Sequence, residues 1–157
     1  MRRFIIIGLL FLSPFCYAKS DVQIVNDAKE AVRKELSQKY KQGECERWKI
    51  MASGGAIAEG SAIAKCDNDF NPSYGFDFSS IEVKETDRGV SVCGIVSGRT
   101  DLSRIGGRFV YENKTGHVTM KPSKFPMASL ASSGELGKGQ IKIENKQFEI
   151  VSKLYCK

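Results

Sequence analysis

The chain has 157 residues, and 24 lysines and arginines against 18 acids give it a formal charge of +6. That size suits one domain with a real core. The charge favours mild attraction to anionic surfaces, but aromatics are not interleaved with the basic residues as a stacking platform requires, so no nucleic-acid partner is expected.

The first residues, MRRFIIIGLLFLSPFCYA, have the layout of a secretory signal peptide. Arg2 and Arg3 give a positive start, residues 4–12 an apolar core, and Cys16-Tyr17-Ala18 a small-x-small ending. The apolar run is shorter than the roughly 20 residues a span needs, so cleavage after Ala18 is expected and stable membrane insertion is not. Bulky Phe15 before Cys16 argues against a lipoprotein. Without these residues 139 remain, as one exported domain over residues 19–157 with a charge of +4.

Four cysteines stay in that domain: Cys45, Cys66, Cys93 and Cys156. In an oxidising compartment they suggest two disulfides, with three possible pairings. Cys45 and Cys66 bracket one segment, which favours Cys45–Cys66 and Cys93–Cys156. The expected location is periplasmic or secreted. CxxC spacing does not occur, so neither a redox site nor a zinc ribbon is indicated.

In chain order, residues 21–41 read as a helix capped by Ser20 or Asp21. Val25, Ala28, Val32, Leu36 and Tyr40 form its apolar stripe, and Gly43 its stop. Residues 46–52 suggest a short strand around Trp48 and Ile50. The stretch 53–65, SGGAIAEGSAIAK, fits helix, strand or loop equally well. Asp67, Asp69 and Asn71 fall at the first, third and fifth positions of a calcium loop. Pro72 and Phe78 then break that pattern where glycine and glutamate belong, and turn chemistry accounts for the residues.

Residues 76–84 read as a strand whose inward phase slips near Ser79-Ser80, the sign of a bulge. Thr86-Asp87-Arg88-Gly89 signals a turn into a second strand over residues 90–97. An arginine-bearing loop over residues 98–107 leads to a third strand, with Phe109 and Tyr111 on one face. Asn113-Lys114-Thr115-Gly116 turns into a fourth, carrying Val118 and Met120. Residues 121–139 read as a long surface loop, and residues 144–155 as a short helix. The expected fold is α+β: the N-terminal amphipathic helix packed on an antiparallel sheet of about four strands, a short C-terminal helix and two disulfides.

The second half of the chain resembles small exported bacterial proteins of unassigned function. The likeness rests on Asn71-Pro72-Ser73, the aromatic residues 76–78, Cys93-Gly94-Ile95-Val96, Gly106-Gly107-Arg108-Phe109 and a C-terminal helix ending in Cys156. Ser97 stands where such proteins usually carry asparagine. The resemblance implies an exported α+β domain and brings no catalytic residues with it.

Known nucleophile, zinc-protease and phosphate-loop motifs do not occur in the sequence. His117, the one histidine, has no framing nucleophile or co-ligand and is expected at an exposed turn edge. Neither metal nor cofactor is implied. Arg99, Arg104 and Arg108 surround the central loop, and guanidinium groups there suit carboxylates on a partner. The leading expectation is a non-catalytic binding protein, such as an immunity or inhibitor protein against a secreted toxin or hydrolase, with another protein as partner. The alternative is a secreted enzyme or toxin acting on an anionic polymer through carboxylates that spacing does not reveal. Oligomeric state is not legible.

Overall fold

The computed structural model describes residues 19–124 and 127–157; the leader expected over residues 1–18 lies outside the described residues. Helix α1 spans Asp21–Lys39. A capping box fixes its start: Ser20 Oγ accepts from the Gln23 amide at 3.4 Å, and Gln23 Oε1 accepts from the Ser20 amide at 3.1 Å. These bonds serve amides that have no partner inside the helix. Ile24, Ala28, Val32 and Leu36 are buried at strict spacings of four. Val25 and Tyr40, expected in that stripe, flank it half-buried. The helix ends before Tyr40, which is extended. Gly43, expected as its stop, instead adopts φ 74° and opens the next helix.

The strand expected over residues 46–52 is absent; helix α2 occupies Glu44–Ser53. Glu44 and Glu46 lie in its first turn, where acids meet the positive helix end, and Lys49 reaches Glu46 at 2.8 Å one turn on. Alternation of Trp48 and Ile50 carries no burial to hold a strand, because Ile50 is exposed. Of the undecided stretch 53–65, Ser53 ends α2, residues 54–58 lie in neither helix, and the rest belongs to helix α3, Glu59–Cys66. The Cys45–Cys66 disulfide staples α2 to α3, and Lys65 adds an ion pair to Glu44 at 3.3 Å.

Four antiparallel strands follow: β1 (Asp77–Thr86), β2 (Gly89–Arg99), β3 (Arg104–Glu112) and β4 (His117–Pro122), in the order β1-β2-β3-β4. The β1–β2 register shifts between Ser79 and Glu82, and Ser80 takes φ 51°. Phe78 and Ile81 lie three apart, so a regular strand would send them to opposite faces. The extra residue returns Ile81 and Val83 to the face that Phe78 occupies, and all three pack against the core. That face is covered by α1, whose stripe meets Val92, Val96, Ile105, Phe109 and Tyr111, with Phe70 at the margin.

Helix α4, Met127–Tyr155, covers one end of the opposite face. It includes the segment expected to be helical and begins earlier, so much of the surface loop expected over residues 121–139 is helix. Val110 and Phe148 are buried on this side. Ser91 Oγ donates to the Tyr155 carbonyl at 2.8 Å. The Cys93–Cys156 disulfide locks the helix end to β2. Both bridges follow the favoured pairing. Among the described residues no helix is long and apolar enough to cross a membrane.

Candidate functional site

The arginine-bearing connection is shorter than expected. Gly98 pairs with Ile105, Ser97 with Gly106, Val96 with Gly107 and Arg99 with Arg104, so only residues 100–103 lie outside the ladder. Gly98 therefore supplies closeness and not loop freedom: a Cβ there would come within 3.0 Å of the Phe70 ring. Gly98, Gly106 and Gly107, which read as a flexible loop, are ladder positions in a continuous hairpin.

Two carboxylates pin the four-residue turn. Thr100 is 0 % exposed, and its hydroxyl donates to Asp67 Oδ1 at 2.7 Å while accepting from the Leu102 and Ser103 amides. Ser103 Oγ also donates to Asp67, and Lys124 Nζ donates to Asp67 and to Ser103 Oγ. Asp101 accepts from the Tyr40 hydroxyl at 3.0 Å and from Asn71 Nδ2 at 2.6 Å. Burial pushes the Asp67 carboxyl up, but the Ser103 and Thr100 hydroxyls and the Lys124 ammonium outweigh it and hold it below 3.8.

A depressed carboxylate contributes stability that is present above its unfolded value and lost as pH falls through its folded one. Asp67→Asn should therefore cost about 1 kcal/mol at pH 6, the usual worth of a hydrogen bond. The gap to the parent should close as pH drops below about 4. Chemical denaturation across that range checks the sign; a gap that widens in acid would contradict it.

With the turn fixed, the register decides where the arginines point. Arg99 and Arg104 are direct cross-strand partners, and Arg108 lies two pleats along β3 from Arg104. All three share the face turned away from α1. Arg99 lies over the Tyr74 ring at 5.3 Å, and Arg108 over Phe148 at 5.1 Å. Arg108 also donates to Ser152 Oγ at 3.3 Å and approaches Glu149 at 3.8 Å. Arg104 forms no ion pair among the described residues. Asp101, nearest in sequence, is occupied by Tyr40 and Asn71, so among the described residues Arg99 and Arg104 form no ion pair. Between them the sheet presents Ser97 and Ile95, the latter 37 % exposed, with Asp77 and Ser79 beside them on β1.

No family model, curated protein or solved structure matches this chain.

The face thus brings together the three arginines that the sequence singled out, as a rigid array on the sheet and not on a loop. Ile95, Ser97, Asp77 and Ser79 were missed, although alternation along β2 carries the signal: Val92 and Val96 go inward, so Ile95 and Ser97 go out. His117 begins β4, exposed, and its amide donates to Thr115 Oγ1 at 3.2 Å. The residues of the broken calcium pattern diverge. Asp67 holds the turn, Asn71 accepts from the Ser73 amide and hydroxyl, and Asp69 faces a cleft on another side.

Proposed function

We propose that this is an exported, non-catalytic binding protein of the immunity or inhibitor kind, which docks a protein partner on the open sheet face. The observation that carries the reading is the placement of Arg99, Arg104 and Arg108 on one exposed face around small residues and Ile95. Forked cations flanking one exposed isoleucine among small and polar residues suit a partner surface bearing carboxylates. Its stem is rigid: the turn is held by Asp67 and Asp101, and two of the guanidinium groups are stacked on rings. Preorganised side chains lose less entropy on binding. Two disulfides, the leader-like start and the resemblance to small exported bacterial proteins support a periplasmic or secreted location.

Photo-crosslinkers at Ser97 and, as a control, at Lys29 on α1 test the face in exported protein. A discrete partner should be trapped from Ser97 and not from Lys29, and adding equimolar protein should suppress that partner's toxic or hydrolytic activity. Changing Arg99 and Arg104 together to alanine should weaken its binding by more than about 1 kcal/mol, with the melting temperature unchanged. Calorimetry at two salt concentrations separates rim charges, which respond to screening, from buried anchors. Equal trapping at both positions, or unchanged affinity at both salts, would remove the sheet face from the interface.

A further inference from the structure

A second feature lies at the β4 edge, between α1 and α4: a cleft of about 210 Å³. Its apolar wall consists of Leu36, Phe70, Ile105, Met120 and Pro122. Three lysines line it, and each is already matched: Lys39 with Glu35 at 3.0 Å, Lys121 with Glu149 at 2.8 Å, and Lys124 with Asp67 at 3.0 Å. Two acids line it as well, Asp69 and Glu144, and neither forms an ion pair among the described residues. Glu144 accepts from Gln140 at 3.0 Å on the open side. Asp69 accepts one hydrogen bond, from Asn68 Nδ2 at 3.1 Å, whereas a carboxylate has about four acceptor positions. Burial pushes the Asp69 carboxyl above its ordinary value, and nearby Lys65 and Lys39 pull it back only in part.

The cleft is therefore an apolar wall beside a half-buried acid that forms no ion pair among the described residues, under a rim whose lysines are each ion-paired. An anionic ligand would have to compete for lysines already paired, while a cation completes Asp69 directly. We propose that this cleft binds a primary ammonium group on an aliphatic stem, its head on Asp69 and its stem along Phe70, Ile105 and Met120. The space admits a short unbranched chain, for which a six-carbon amine is a suitable probe. The same chemistry is carried by a free alkylamine and by the lysine side chain of a polypeptide. The inference does not rest on the sheet-face reading, because Asp69, Met120 and Pro122 take no part in that face.

Titration of the full chain with hexylamine hydrochloride at neutral pH, followed by NMR shifts of the Met120 methyl and the Phe70 ring, tests it. Hexylammonium should saturate with a Kd near or below about 1 mM, which is about −4 kcal/mol. Sodium hexanoate and 1-hexanol should bind at least tenfold more weakly. Asp69→Asn should weaken hexylammonium at least tenfold. That variant is expected to fold: an acid whose value is raised on folding opposes stability when ionised, so its melting temperature at pH 7 should equal or exceed the parent's. Should it fail to fold, the three-probe comparison on unaltered protein still decides. An acetylated, amidated lysine peptide separates the sources. Binding as tight as hexylamine assigns the site to polypeptide lysines, and exclusion of the peptide assigns it to free amines. No saturation by hexylamine, a match by hexanoate or hexanol, or an Asp69→Asn variant that binds unchanged would overturn the proposal.

Discussion

Replacing Cys93 and Cys156 together by alanine should lower the unfolding free energy by about 4 kcal/mol, the larger of the two bridge effects. The bridge closes a loop of 63 residues, against 21 for Cys45–Cys66. Restricting the unfolded chain scales with the logarithm of loop length, which gives about 4 kcal/mol for the long loop and about 3 for the short one. The long bridge also holds the end of α4, where Ser91 and the Tyr155 carbonyl meet and Phe148 is buried. Without it, amide exchange in α4 should accelerate before exchange in α1 and the sheet centre. Guanidinium denaturation and exchange mass spectrometry read the two effects separately. A loss below about 1 kcal/mol would mean that α4 is held by its packing and that the bridge constrains little.

Phe109→Ala should cost about 3–5 kcal/mol, the range for deleting a fully buried ring. Phe109 is 1 % exposed, meets the Phe78 ring edge-on at 6.0 Å and belongs to the core under α1. Its partner across the ladder is Gly94. A Cβ on Gly94 would fall 2.8 Å from Phe109 Cζ and 2.7 Å from Ile81 Cδ1, closer than atoms pack. The ring thus lies in the space that a side chain on β2 would fill. Gly94→Ala in the parent should cost about 1–3 kcal/mol through overpacking. In the Phe109→Ala background the new methyl enters vacated space, so the same change should cost much less. The double-mutant cycle should show a coupling of at least about 1 kcal/mol. Equal costs in both backgrounds would show that ring and glycine do not compete for volume.

These core effects follow from parts of the fold that the sequence declares openly. Ala28, Val32 and Leu36 mark the α1 stripe at one spacing, although Ile24 and not Val25 begins it, and the phase conflict between Phe78 and Ile81 has one geometric cure, a bulge beside Ser79-Ser80. The helices α2 and α3 were harder to read because they bury so little. Cys45 alone is buried in α2, so its period leaves no pattern, and Trp48 with Ile50 mimics a strand. The arginine hairpin misled for another reason. Gly98, Gly106 and Gly107 suggest a loop by composition, whereas all three are paired in the ladder and Gly98 leaves room for the Phe70 ring. Of the candidate surfaces, the arginines were legible as residue types and their common face was not, since that depends on the Arg99–Arg104 register. The Asp69 cleft was illegible altogether: its wall comes from α1, β3, β4 and the segment after α3, which only the folded chain brings together.

The pairing of the bridges bears on how such a chain becomes oxidised. Cys45 joins Cys66 and Cys93 joins Cys156, so each of the four described cysteines is bonded to its neighbour in chain order. A polypeptide that emerges N-terminus first into an oxidising compartment presents Cys66 to Cys45 before Cys93 has appeared. The first bond available is then the native one, and it removes both thiols that could trap Cys93. When Cys156 follows, a single partner awaits it. Of the three pairings open to these four cysteines, this is the one that vectorial emergence into an oxidising compartment would select by itself, with an oxidant and no isomerase.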